Sequence, residues 1–154
     1  MIDPHSRNLR PGRRPEDGVY FAITFCCVHR RPMLSQMHAA RAVVAAFIEQ
    51  QAGGIATTFA FVVMPDHVHW LMRLEATERL SSVVGWTKRS AALRMNRMDR
   101  APGRHVWQRG YYDHKIRDDV DLYYQASYIL ENPVRAGLVD AIEAYPHWDT
   151  PGWI

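Results

Sequence analysis

Two short stretches carry side chains whose types and spacing can do chemistry together. In "MPDHVHWLM", Met64 to Met72, His67 and His69 stand one residue apart in an otherwise apolar run. On a strand, positions i and i+2 project from one face about 6.5–7 Å apart. Both rings then aim at one point, while Val68, Trp70 and Met72 face the other way. Imidazole is a common ligand of divalent metals, and two rings need only one or two further partners. Hydrogen-bonded structural histidines would show the same spacing. In "YILENPVRAGLV", Tyr128 to Val139, Tyr128 and Asn132 are four apart. They share a helical face, about 6 Å apart along the axis, which sets a hydroxyl beside an amide. Tyr128 also reads as an amphipathic core tyrosine. Asn132, before Pro133, also reads as a helix-ending residue.

Other tyrosines offer the same phenol, a group able to act as a nucleophile once ionised. Tyr111 and Tyr112 lie in a strand-like run, where one packs inward and the other is free to stack on a base. Tyr123 and Tyr124 lie on the last helix, and Tyr124, four before Tyr128, shares its face. Asp113 and His114 read either as partners that orient a ligand or as a solvated pair.

The elements that must position these groups follow from the apolar pattern. Val19 to His29, rich in β-branched and aromatic residues, predicts a first strand. Ser35 can cap a helix running to about Gln51, with Ala40, Val43, Val44, Phe47 and Ile48 at helical spacing and Gly53-Gly54 ending it. Ile55 to Val63 predicts a second strand. Pro65-Asp66 reverses the chain, and His67 to Leu74 returns antiparallel. A helix from Leu80 to about Arg100 follows, with Leu80, Val83, Val84, Thr87, Ala91, Met95 and Met98 as its buried stripe and Arg89, Arg97 and Arg100 opposite. Val106 to Ile116 predicts a fourth strand, Val120 to about Asn132 a third helix. From Pro133 the chain reads as irregular, with Trp148 and Trp153 folding back onto the body. The order βαββαβα predicts an α+β, ferredoxin-like antiparallel sheet with helices packed on it. That fold hosts many functions and selects none.

Composition narrows the class. The 154 residues, 47% hydrophobic, suit one packed core. The organisation read from them is a basic Pro/Arg-rich arm at 1–17, a folded domain at 18–140 and a tail at 141–154. The arm, with Arg7, Arg10, Arg13 and Arg14, reads as a solvated tail or as a phosphate contact. No apolar run is long enough to span a bilayer, and the cations of the N-terminus lead into no apolar signal segment. Cys26 and Cys27 are adjacent, point to opposite faces and cannot pair, and there is no CxxC. A cytoplasmic location is the expectation. The net charge of +3 is compatible with nucleic acid without requiring it.

The segments "VVMPDHVHWLM", "WQRGYYDHKIRDDVDL" and "YILENPVRAGLV", in this order, resemble the HUH single-tyrosine transposases, and within them the REP-associated tyrosine transposases. "YFAITFCCVHRRPML" is similar to the family's first strand. The resemblance covers residues from about 18 to 140. It implies an enzyme that cleaves and rejoins single-stranded DNA at hairpin or palindromic sequences. By position, His67 and His69 would be metal ligands and Tyr128 the nucleophile. Asn132 stands where related insertion-sequence transposases place a glutamine as third ligand, one methylene shorter and against a proline.

That chemistry explains why such residues would be needed. An ordinary phenol with a pKa near 10 is about a thousandth ionised at neutral pH, roughly 4 kcal/mol from its reactive form. A divalent cation relieves the repulsion between nucleophile and phosphate and helps the 3′ oxygen leave. Family chemistry implies Mg2+ or Mn2+, although imidazole ligands also suit zinc, manganese or nickel. Candidate DNA contacts are Lys88, Arg89, Arg109, Lys115, Arg117 and Arg135. The alternatives are a non-cleaving binder of folded DNA or RNA, and a small metal-dependent nuclease with no covalent step. A rolling-circle initiator or relaxase shares the chemistry but usually carries further domains. The REP-associated branch implies a monomer, its insertion-sequence relatives a homodimer.

Overall fold

The computed structural model describes residues 18–75 and 77–153. The proposed arm at 1–17 lies outside them. Five strands, β1 (Gly18–Cys26), β2 (Ala56–Val63), β3 (His67–Glu75), β4 (Tyr112–Lys115) and β5 (Trp148–Asp149), form one sheet in the order β4-β1-β3-β2-β5. Every neighbouring pair is antiparallel. The helices are α1 (Met37–Ala52), α2 (Leu80–Met98), α3 (Asp119–Leu130) and the single turn α4 (Asn132–Arg135). The first four strands have the ferredoxin-like order that the βαββαβ pattern predicts.

Strand alternation divides the interior into two layers. Ile23, Phe25, Val68, Trp70 and Met72 face α1 and α2. Trp70 is fully buried and stacks on Phe47 of α1, with centroids 4.5 Å apart and planes 20° from parallel. Its indole N–H donates to Thr58 Oγ1 at 2.9 Å. On the opposite face, Tyr20, Ala60, Val62 and Leu71 meet Leu122, Ala126, Ile129 and Leu130 of α3. Each large apolar side chain buried there contributes about 1.5–3 kcal/mol, which fixes α3 across the strand that carries the two histidines. Asp118 caps α3 by accepting from Asp121 N at 2.8 Å. Asp121 in turn accepts from Arg117 N at 2.9 Å and bonds His114 Nε2 at 2.9 Å. This ties the start of α3 to β4.

Several expectations require correction. The fourth strand is only Tyr112–Lys115. Before it, Trp107 makes a single bridge to Cys27, and the chain turns at Gly110, φ +83°. Met98, expected in the buried stripe of α2, is the last residue of that helix and is 62% exposed. Ser35 does not cap α1. Its hydroxyl donates to Pro32 O at 2.8 Å, and Gln36 holds the N-cap position. The third helix ends at Leu130, and Glu131, still right-handed (φ −78°, ψ −10°), leads into α4. Asn132 lies inside that turn instead of ending a helix, because a proline in a first turn forfeits no intrahelical bond. The segment after it is less irregular than expected: β5 pairs with β2, and Trp148 packs on the α3 layer. Among the described residues, no helix is long and apolar enough to cross a membrane.

Candidate active site

The β2–β3 hairpin turns through Pro65 and Asp66, closed by Met64 N donating to His67 O at 2.8 Å. Period-2 alternation then presents His67 and His69 on the α3 face, their ring centroids 4.8 Å apart and their planes nearly perpendicular. Each ring is held through Nδ1. His67 Nδ1 bonds Asp66 Oδ1 at 2.7 Å, and His69 Nδ1 bonds Thr24 Oγ1 at 2.9 Å. Thr24 is the cross-strand partner of His69 on β1. In the tautomer whose Nδ1–H donates to these oxygens, the lone pair of each imidazole sits on Nε2, the state a metal ligand needs.

The third group arrives from the far end of the chain. Asn132 on α4 places its side-chain amide 2.5 Å from His69 Nε2. Turning that amide over exchanges nitrogen for oxygen, and the oxygen is the atom able to ligate. Among the described residues no three His, Cys, Asp or Glu side chains gather at one point. The available donor set is therefore two imidazoles and an amide oxygen. It suits a divalent cation that keeps water or substrate oxygens for its remaining positions.

Burial, with neighbouring positive charge, keeps the His69 ring neutral. Burial first, then the neighbouring His67, Arg135 and Arg30, pushes the His69 pKa down to about 3. Asp66 lies below the ordinary carboxylate range. Burial alone would raise it, but the hydrogen bonds from His67 and Arg30 outweigh that cost. Arg30 is raised, chiefly by its bond to Asp66.

Tyr128 is 47% exposed, on the last turn of α3 and one turn before Asn132. The Arg135 guanidinium covers its ring at 4.0 Å and donates to Tyr128 O at 2.7 Å. A cation thus rests against the ring on which charge develops when the phenol is deprotonated. Tyr124, on the same helix, is 63% exposed. Tyr112 is 74% exposed and lies in the same cross-strand row as Thr24 and His69, at the sheet edge.

The candidate DNA contacts separate. Arg89, Arg109, Lys115, Arg117 and Arg135 are exposed. Arg117 also pairs with Asp121 at 3.4 Å. Lys88 is half-buried and donates to the carbonyls of Gln108 and Gly110 at 2.9 and 2.7 Å, so it clamps the segment before β4. Lys115 and Asp113 register opposite Phe21 and Ile23. His114 pairs with the buried Asp121. Thr24 and Arg30 are site residues that spacing alone did not show. Asp66 was legible only as a turn former.

Residues 17–132 match the model of the family described as Transposase IS200 like. A Haemophilus influenzae Rd protein assigned as a REP-associated tyrosine transposase is 30% identical over 99 residues, covering 58% of this chain and 56% of that protein. The REP-associated tyrosine transposase of Escherichia coli K12 is 28% identical over 88 residues, covering 56% of this chain and 50% of that protein. The chain thus spans about half the length of the curated relatives it matches. Among solved structures, a REP-associated tyrosine transposase bound to a REP hairpin superposes with a TM-score of 0.69, 23% identity and coverage of 88% of this chain and 79% of that one. A transposase from Deinococcus radiodurans R1 gives 0.56 and 21%, covering 80% and 96%. Both likenesses extend to the fold.

Proposed function

The chain belongs to the Transposase IS200 like family, and from that premise we propose that it cleaves and rejoins single-stranded DNA beside hairpins through a covalent phosphotyrosine. The observation that carries this is the meeting of His69 with Asn132, brought together across the fold and one helical turn from Tyr128. His67 and His69, through Nε2, and the Asn132 amide oxygen would hold Mg2+ or Mn2+. When bound, the cation supplies Lewis-acid polarisation of the scissile phosphoryl group and its leaving oxygen.

The remaining work falls to the chain. Tyr128 Oη attacks phosphorus, its O–P bond forms and the P–O3′ bond breaks. The phenolic proton passes to solvent, and the departing 3′ oxygen takes one up. The products are a 5′-phosphotyrosine and a free 3′ hydroxyl. A second 3′ hydroxyl reverses the step without ATP, because the covalent bond keeps the phosphodiester energy. Arg135 orients the ring and places positive charge where the phenolate and phosphate meet. Arg89, Arg109, Lys115 and Arg117 are proposed to contact the DNA backbone. The hairpin partner is proposed by analogy with the REP-hairpin-bound structural neighbour, and a monomer is proposed on the support that Tyr128 lies one helical turn from Asn132 of the same chain.

The test is incubation with end-labelled hairpin DNA and Mn2+. The wild-type protein is expected to leave an adduct that survives denaturation, and Tyr128→Phe to leave none. Undiminished adduct from Tyr128→Phe refutes the assignment, and turnover to free 5′-phosphate with no trapped protein refutes the covalent step.

A further inference from the structure

The loop between β1 and α1 contains two consecutive non-glycine residues in the left-handed region, His29 (φ +52°) and Arg30 (φ +54°). A residue with a Cβ is disfavoured there and persists only where surrounding bonds dictate it. Those bonds are present. Cys27 N donates to Asp66 O at 2.9 Å, Leu34 N to Pro65 O at 2.9 Å, and Val28 N to Val106 O at 2.8 Å. The loop therefore grips both carbonyls of the turn that precedes His67.

The left-handed pair also sends the Arg30 side chain back over that turn. Its Nε donates to Asp66 Oδ2 at 2.8 Å, and its Nη1 to Cys26 Sγ at 3.2 Å. Cys26 is the cross-strand partner of His67. The other oxygen, Asp66 Oδ1, bonds His67 Nδ1 at 2.7 Å. Both carboxylate oxygens are thus engaged, and Asp66 is kept from swinging onto a cation itself. A carboxylate so fixed holds the imidazole in one tautomer and one orientation.

From this geometry we infer that Arg30 and Asp66 are positioning residues for His67, acting in series: Arg30 fixes Asp66, and Asp66 fixes the ring with Nε2 turned into the site. The inference rests on the metal-holding role of His67 given above. It assigns to the strained loop a purpose that packing does not require, since Arg30 is more than half exposed.

The test is calorimetric titration of Mn2+ into the full chain after metal stripping, with the melting temperature of the metal-free protein measured beside it. Arg30→Ala and Asp66→Ala should each weaken Mn2+ binding about 10–100-fold, the usual effect of removing a ligand's supporting partner. The double variant should be no weaker than Asp66→Ala alone, because the two act in series. Arg30→Gly relaxes the left-handed backbone and should melt no lower than Arg30→Ala while binding Mn2+ as poorly. Wild-type affinity in Arg30→Gly or Asp66→Ala overturns the positioning role. Additive losses in the double variant overturn the series arrangement. A wild-type chain that binds no Mn2+ overturns the metal site and this inference together, whereas wild-type binding with unaffected variants overturns the inference alone.

Discussion

Replacing Thr24 by valine removes one oxygen and little else. Valine is nearly isosteric and equally suited to a strand, so the β1–β3 ladder persists. What disappears is the acceptor 2.9 Å from His69 Nδ1. His69 is desolvated enough to hold its pKa near 3, so water replaces that acceptor poorly. A buried donor left unpaired costs about 1–3 kcal/mol. The ring escapes the cost by shifting its proton to Nε2 or by rotating, and either change withdraws the lone pair offered to the cation. The expected loss is about 10–100-fold in Mn2+ affinity, equivalent to about 1.4–2.7 kcal/mol. Titration calorimetry measures it, and adduct formation supplies the functional reading: the rate should fall at low Mn2+ and recover at high Mn2+. An unchanged affinity, or a defect that excess Mn2+ fails to relieve, refutes the role given to Thr24.

Three further outcomes are expected. His69, at about 3 in the fold against 6.5 ordinarily, leaves the unfolded chain holding the extra proton between those values. The metal-free protein should therefore lose stability as pH falls through that window, by at most about 1.4 kcal/mol per pH unit. Urea unfolding at several pH values measures this, and a His69 ring titrating near 6.5 by NMR contradicts it. Thr58→Val orphans the buried Trp70 N–H and should cost about 1–3 kcal/mol of stability, with an unchanged unfolding midpoint as the adverse result. Neutralising Arg89, Arg109 and Arg117 together should weaken hairpin binding and flatten its salt dependence; a slope equal to wild type removes them from the DNA surface.

Legibility in the sequence followed the range of the interaction concerned. His67 and His69 could be paired from spacing because strand alternation is local and rigid. The order of elements was readable for the same reason, as was the reversal at Pro65-Asp66. β4 was overextended because "VWQRGYY" looks strand-like, whereas Gly110 turns the chain and Lys88 draws the carbonyls of Gln108 and Gly110 aside. β5 escaped notice because a two-residue strand has no period to detect. Met98 fits the helical stripe of Met95, yet it is the last residue of α2 and lies exposed. Thr24 and Arg30 act through contacts with residues 45 and 36 positions away. No local pattern marks such partners, and only the folded register brings them to the histidines.

The most direct measurement identifies the tyrosine that carries DNA. Mass-spectrometric mapping of the adduct formed by the wild-type chain with hairpin DNA and Mn2+ should find the nucleotide on Tyr128, joined through its 5′ phosphate. Modification of Tyr124 or Tyr112 in its place, or no modified tyrosine, would contradict a site built from His67, His69, Asn132 and the last turn of α3.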